Sequence, residues 1–445
     1  MSTMIRPMAL YGAGLLLIIS FYLLHDAWLP TASLLVMAIA FVWQSYRDYM
    51  TRPAGILHHG VFYKDISSRG LIGWALGLLL TALYVSLYWF PSILGKAPMG
   101  GTNTGFIHFF DAISIALNGQ VATEWFAYGT CYTYLIVLFG VRFIMKYRHN
   151  AYHRKRTVVI ILSQLILAYF LPEILESFSH EQAYFDKDIK NIWPLNYDFF
   201  YAWHLDNMQA SSMGMFYFVV GLCMFLLVTP VLTYFVGKRW YCSWICGCGG
   251  LAETTGDNFR QNGPKGTVSW KIERISIHAV LVLVTIMTSV TLYGYFTGTD
   301  EIAGLSIYTH FQKPYGFFIG ALFSGVAGVG FYPLLGTRIW CRFGCPMAAY
   351  MGIIQRFKSR FRITTNGGQC ISCGNCTTYC EMGIDVRAYA QKQQNIVRAS
   401  CVGCGVCASV CPRGVLKLEN GPIEQRINQP QSLIDYIHNN GHSMH

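Results

Sequence analysis

The chain has 445 residues, of which 53% are hydrophobic, 15% aromatic and only 12% charged, where a soluble domain carries about 25% charged residues. Mean hydropathy is +0.36, and together these values exclude a disordered chain, collagen, a coiled coil and an ordinary cytosolic enzyme. The excess of 33 Lys+Arg over 22 Asp+Glu would suit a nucleic-acid partner only if it did not follow the membrane pattern described next.

A bilayer core about 30 Å thick needs roughly 20 apolar residues in a helix. Eight runs qualify: Met8–Leu24, Ala27–Tyr46, Gly70–Phe90, Phe126–Met145, Thr157–Leu175, Met213–Val236, Ile277–Thr297 and Tyr315–Leu335, the fifth shortened by Pro172 and Glu173. The first has no small-residue cleavage site after it and a second apolar run follows almost at once, so it reads as a membrane helix and not a signal peptide. The connections around Arg47–Arg69, Lys146–Arg156, Lys238–Arg274 and Arg338–Arg362, with the two tails, hold 28 of the 33 basic residues. The alternate connections hold only Lys96, Lys187, Lys190 and Lys313, while Arg142 sits inside the fourth run near its basic end, where it can snorkel. The positive-inside rule then places both termini in the cytoplasm. The net charge is a matter of topology, and no nucleic-acid partner is expected.

Two outer connections are long. Pro91–Trp125 contains Phe106–Ile115, apolar at helical spacing with His108 and Asp111 among them, and an interfacial or re-entrant helix is expected there ahead of a ligand site. Pro172–Ser212 gathers Tyr184, Phe185, Trp193, Tyr197, Phe199, Phe200, Tyr201 and Trp203. This reads first as an aromatic belt at headgroup level, or else as a docking surface for a periplasmic redox partner. Of His25, His108, His180, His204, His278 and His310, only His278 lies in a membrane run and no two are paired at helical spacing. Haem is therefore not expected, and a quinone site beside an interfacial histidine stays open. The basic loop His149–Arg156 reads as topology or contact with anionic lipid, with a cytoplasmic donor as the alternative.

An internal repeat follows the sixth and eighth runs. Gly237-Lys-Arg-Trp-Tyr-Cys242-Ser-Trp-Ile-Cys246-Gly and Gly336-Thr-Arg-Ile-Trp-Cys341-Arg-Phe-Gly-Cys345-Pro share the form G-x-R-x-aromatic-C-x-aromatic-x-C-(G/P). Both copies are expected at the cytoplasmic boundary, and a backbone that stayed helical would set each pair of thiols one turn apart on one face. Cys242, Cys246, Cys341 and Cys345 could then form a further metal centre, act as redox thiols activated by Arg239 and Arg338, or belong to a purely structural repeat. Cys248 adds a fifth thiol, whereas Cys131 and Cys223 stand alone in membrane runs and read as packing residues.

The strongest pattern is C-terminal. Cys370, Cys373, Cys376, Cys380 and then Cys401, Cys404, Cys407, Cys411, followed by Pro412, each read C-x2-C-x2-C-x3-C, the spacing of bacterial ferredoxins with two [4Fe–4S] clusters, in which the fourth cysteine of each run ligates the other cluster. One cluster is thus expected on Cys370, Cys373, Cys376 and Cys411, the other on Cys401, Cys404, Cys407 and Cys380. Gly374, Gly403 and Gly405 would let the backbone curl around them. Zinc knuckles are disfavoured because zinc sites use two pairs of thiols at longer separation.

The expected fold is an all-α polytopic membrane bundle of about eight transmembrane helices, N-in and C-in, with a small α+β bacterial-type 2[4Fe–4S] ferredoxin domain at the cytoplasmic C-terminus. Its divisions are 1–237 (six helices, with outer loops 91–125 and 172–212), 238–274 (cytoplasmic C-x3-C loop), 275–336 (transmembrane hairpin), 337–366 (second motif and connector), 367–421 (ferredoxin domain) and 422–445 (polar tail).

Two C-x3-C motifs at membrane exits ahead of a double ferredoxin motif resemble the membrane polyferredoxins of the NosR/NapH type, over roughly Met213–Leu418. That resemblance implies a role like nitrous-oxide-reductase maturation or quinol oxidation for periplasmic nitrate reductase. Cytochrome-oxidase accessory proteins that reduce copper during assembly look similar across the same motifs. The sequence departs from these patterns in showing no large N-terminal segment for an FMN domain and no immunoglobulin-like C-terminal extension. Gly247 and Glu381 also stand where prolines are usual. The expectation is a membrane-bound electron-transfer component, not a stand-alone catalyst, in a bacterial inner membrane. It would pass electrons between a cytoplasmic donor or the quinone pool and a periplasmic or membrane redox partner. The alternative is an assembly factor that uses its C-x3-C thiols to reduce or deliver metal.

Overall fold

The computed structural model describes residues 2–24, 28–51, 53, 70–98, 101–178, 194, 199–210 and 212–421. Each apolar run becomes helical: α1 (Ser2–Leu24), α2 (Leu29–Tyr49), α3 (Leu71–Trp89), α4 (Glu124–Lys146), α5 (Ala151–Leu175), α6 (Gly214–Val236), α7 (Thr267–Thr297) and α8 (Gly316–Gly330). Among the described residues, α2 to α7 are long and apolar enough to cross a membrane, six helices where eight were expected. In α1 the described apolar stretch is Ala9–Phe21. The eighth run winds through α8 in wider π geometry, and it ends at Leu335 before Gly336 turns the chain at φ +88°.

Local chemistry sets the helix starts. The Thr123 hydroxyl accepts from the Phe126 amide to cap α4, and the Asn150 side chain accepts from the Tyr152 and His153 amides to cap α5. Small residues then let helices approach: Gly140 on α4 meets Ile161 on α5, Gly77 on α3 meets Leu334, and Gly330 on α8 meets Thr81 on α3. Helix α7 begins ten residues ahead of its apolar run. At 1.5 Å per residue it is about 46 Å long, so its first turns project beyond a hydrocarbon core on the basic side.

The outer segment Phe106–Ile115 is not one interfacial helix. It breaks at Phe109 and Phe110 into helices Gly105–His108 and Asp111–Asn118, because the Asp111 carboxylate is drawn inward by Asn103, His108 and the Ala122 amide. Ile107 and Phe110 are buried against Phe126 and Tyr169. Phe199 and Phe200 likewise pack into a core with Leu205 and Met208 instead of forming a belt, while Trp203 stays exposed. His25, His180, Tyr184, Phe185, Trp193, Tyr197 and the tail 422–445 lie outside the described residues.

The ferredoxin unit starts earlier than 367. Strand β1 (Phe361–Thr365) pairs antiparallel with β2 (Leu416–Asn420), Phe361 opposite Asn420 and Thr365 opposite Leu416. Cysteine spacing alone carries no sign of that pairing. Its core, with Phe361, Ile363, Val386, Ile396 and Val406, is continuous with Met347, Ala348 and Met351 from helix Pro346–Phe357 of the membrane part. The two parts share one hydrophobic interior.

Candidate metal centres

The two ferredoxin motifs fold as near copies. Helices Asn375–Thr378 and Val406–Ser409 each follow a glycine, Gly374 and Gly405, with φ +81° in the left-handed region that only glycine adopts without strain. Cys370, Cys373, Cys376 and Cys411 line one cavity; Cys380, Cys401, Cys404 and Cys407 line the other. The fourth cysteine of each run has thus crossed to the other motif. Tetrathiolate zinc, at about 2.3 Å per bond, would bring its thiols within about 4 Å of one another. Among the described residues the close-set ligand group is instead Glu253, Glu381 and Cys404, with atoms within 4.8 Å. Four thiols per cavity, three from one motif and the fourth crossed from the other, suit a pair of iron–sulfur clusters. Glu253 and Glu381 are no metal site, because three guanidiniums already occupy their oxygens.

One cavity faces outward and the other inward. Cys373 is exposed and Ile371 beside it is 55% exposed. By contrast, the Cys401–Cys404 loop is tied to the membrane part along its backbone. Gln355 donates to the Cys401 carbonyl at 2.7 Å, Ser243 to Val402 at 2.8 Å, Tyr152 to Gly403 at 3.0 Å, and Arg156 to Cys404. The loop His149–Arg156 therefore holds the chain's own ferredoxin unit, and its His153 also meets Ser409 at 3.0 Å. A basic loop is read as lipid-facing only while its tertiary partner is unknown.

The C-x3-C pairs are not one turn apart on a helix. Helix Arg239–Cys242 stops, and Cys246 at φ −57°, ψ 133° opens helix Gly247–Glu253. In the second copy Ile339–Phe343 stops, and Cys345 caps Pro346–Phe357, its Sγ accepting from the Ala348 amide at 3.5 Å. The break nevertheless gathers the thiols: every pair among Cys242, Cys246, Cys341 and Cys345 is within electrostatic range, and Cys248 hydrogen-bonds Cys246.

Nor do all of these thiols sit at the boundary. Gly247 lies against Tyr132 and Gln164, and Gln164 Nε2 donates to the Ile245 carbonyl at 2.6 Å. Tyr132 is the ninth of 23 residues in α4. It lies 11 residues beyond Phe143, and Gln164 lies 8 beyond Arg156, whose guanidinium covers the Phe143 ring. At 1.5 Å per residue the inner end of the thiol group lies about 12–16 Å deeper than Arg156. Tyr84, Tyr128, Tyr132 and Tyr332 surround Cys248 there. Sequence placed the motifs after apolar runs, but it could not show that the chain turns back into the bundle.

Between the thiol group and the inner ferredoxin cavity lies a buried charge layer that the sequence did not announce. Glu253 accepts from Arg156 at 2.7 Å, Arg260 at 2.9 Å and Arg338 at 2.9 Å; Glu381 accepts from Arg260 at 2.8 Å and Arg338 at 3.0 Å. Arg338 also donates to the Cys242 carbonyl at 3.0 Å and reaches Cys341 Sγ at 3.7 Å. Burial would raise the Glu253 carboxyl, but the three arginines outweigh it and hold the group well below the usual carboxylate range. Glu381, the departure from proline after Cys380, is what lets the ferredoxin unit join this layer. Of the lone cysteines, Cys131 packs against the Ile107–Phe126 core and Cys223 is exposed.

Residues 362–412 match the 4Fe-4S dicluster domain family, and 219–264 and 317–364 each match a 4Fe-4S binding domain family. The chain is 25% identical over 175 residues to YccM of Escherichia coli K12, a protein named for electron transport, covering 37% of this chain and 47% of that one. It is 26% identical over 157 residues to the methylamine utilization ferredoxin-type protein MauN of Methylobacillus flagellatus, covering 33% of this chain and 50% of that one. The chain thus spans about half the length of the curated relatives it matches. No solved structure matches it.

Proposed function

We propose that this polyferredoxin-type membrane iron–sulfur protein conducts electrons between a soluble partner on its ferredoxin face and a redox partner in or across the membrane, either the quinone pool or an outer-side protein. The observation that carries this reading is the succession of three thiol sets from solvent to bundle interior. Cys370, Cys373, Cys376 and Cys411 would hold one [4Fe–4S] cluster, Cys380, Cys401, Cys404 and Cys407 a second, and Cys242, Cys246, Cys341 and Cys345 a further centre. Such clusters supply one-electron chemistry when bound. The chain's own contribution is placement. The exposed Cys373 end is open to a partner, the Cys401–Cys404 loop is clamped to the bundle, and the inner thiols shorten the insulating distance that a bilayer core of about 30 Å would otherwise impose. The basic ends of α4 and α5 lie on the ferredoxin side, which supports a cytoplasmic ferredoxin unit and a bacterial inner membrane.

Iron and acid-labile sulfide per chain, measured on anaerobically purified protein, test the reading. About twelve irons are expected, four per cubane, falling to about eight in Cys242→Ser/Cys341→Ser; about eight in the parent protein would refute a third centre. Gly249→Ala probes the same site through geometry, since a Cβ there would come 2.1 Å from the Cys242 carbonyl oxygen. It should push helix Gly247–Glu253 away from Cys242 and lower the iron count as the double serine variant does, with the ferredoxin EPR signals retained.

The Cys246–Cys248 contact supports a second reading, an assembly factor working through thiol chemistry. Cys242→Ser with Cys345→Ser separates the two. An assembly role leaves the target enzyme without metal, whereas conduction leaves it mature but unreduced.

A further inference from the structure

A cleft of about 670 Å³ opens where the projecting start of α7 meets helix Pro346–Phe357 and residues 397–400 of the ferredoxin unit. Its wall carries Lys238, Lys271, Arg274, Arg342, Arg356 and Arg398 against one acid, Glu273. Glu273 is already committed to Arg342 at 2.6 Å and Arg398 at 3.6 Å. Lys238, Lys271, Arg274 and Arg356 are left with no carboxylate partner among the described residues. Positive-inside topology accounts for basic residues in water, but Lys238 is 1% exposed and lines the cleft. A buried ammonium is unfavourable without counter-charge, so a buried lysine lining an open basic cleft points to an anion. The Cys242, Cys341 and Cys401 thiols lie in the electrostatic range of Lys238 and can supply part of its counter-charge, which leaves Lys271, Arg274 and Arg356, exposed around the cleft, as the cations an entering anion would meet.

The apolar part of the site indicates what carries the anion. Arg274 and Arg398 sit over the Trp270 ring at 5.2 and 5.5 Å and shape the mouth. From there Ile275, Val282 and Ile286 run along α7 at helical spacing as an exposed apolar stripe. Basic pockets between membrane helices on the positive side suit phosphate headgroups. An uncharged quinone ring asks for one or two hydrogen-bond donors and gains nothing from four unpaired cations.

We propose that this cleft binds the phosphate headgroup of an anionic membrane lipid, of the phosphatidylglycerol or cardiolipin class, with its acyl chains along the Ile275–Ile286 stripe of α7. The lipid would tie α7 to the ferredoxin unit at the wall that contains Cys341.

The test uses the full chain, delipidated in detergent and titrated with phosphatidylglycerol, phosphatidylcholine and glycerol phosphate, bound ligand being read by native mass spectrometry. At least tenfold preference for phosphatidylglycerol over phosphatidylcholine is expected. That preference should be lost in Lys271→Gln/Arg274→Gln, whose exposed side chains put folding at no risk, and in Lys238→Met. Equal retention of the two lipids overturns the proposal. Displacement by glycerol phosphate at matched concentration overturns the lipid source in favour of a soluble phosphate, and displacement by a short-chain quinone assigns the cleft to quinone instead.

Discussion

Glu253→Gln is expected to loosen the ferredoxin unit from the membrane bundle. Glu253 is fully buried and accepts from Arg156, Arg260 and Arg338, three guanidiniums delivered by α5, the inter-helix loop and the second C-x3-C motif. With glutamine there, Arg260 and Arg338 keep Glu381 and Arg260 keeps Asp257, but Arg156 retains no carboxylate among the described residues. Breaking a buried pair from one side costs about 3–5 kcal/mol, most of it the penalty of the charges left behind. Arg156 also donates to the Cys404 carbonyl and Arg338 to that of Cys242, so the disturbance reaches both thiol regions. Limited proteolysis should release a ferredoxin fragment from the variant and not from the parent, and the thermal transition should fall. An unchanged transition and fragment pattern would show that the backbone clamps at Cys401–Cys404 suffice alone. Glu253 is held below the usual carboxylate range, so its contribution is fully present above that range. It is lost only as pH falls through the depressed folded value; Glu381, whose carboxyl is raised by burial, is the member of the layer that acid protonates first.

Crossed serine substitutions carry the second large effect. Cys411→Ser, although it lies in the second motif, is expected to abolish the outward site formed with Cys370, Cys373 and Cys376. Cys380→Ser is expected to abolish the inward site formed with Cys401, Cys404 and Cys407. Each variant should lose about four irons, one cubane. EPR tells the survivors apart: the outward signal, near exposed Cys373, should broaden with a soluble paramagnetic ion, while the inward one should not. If Cys411→Ser instead removes the protected signal, ligation follows sequence order and the crossed assignment fails.

Some of this molecule follows from local pattern alone. Eight apolar runs become eight helices because burying a hydrogen-bonded backbone in lipid leaves few alternatives. The ferredoxin motifs can be read because 2-2-3 thiol spacing and glycines at Gly374 and Gly405 are short-range requirements, met within one loop. The same local logic identifies the C-x3-C repeat as a pair. It misjudges their form, since a period of four suggests a continuous helix where the chain breaks at Cys246 and Cys345.

Tertiary structure alone decided the rest. The turn back into the bundle that sets Gly247 against Tyr132, the layer that joins Arg156 to Glu253, and the docking of Tyr152 on Gly403 of the ferredoxin unit join residues 115, 97 and 251 positions apart. No periodicity records such partners. A buried charge is tolerated only when its counter-charge arrives from elsewhere in the fold, so Arg260, Glu253 and Glu381 read as ordinary polar residues until the chain has folded around them.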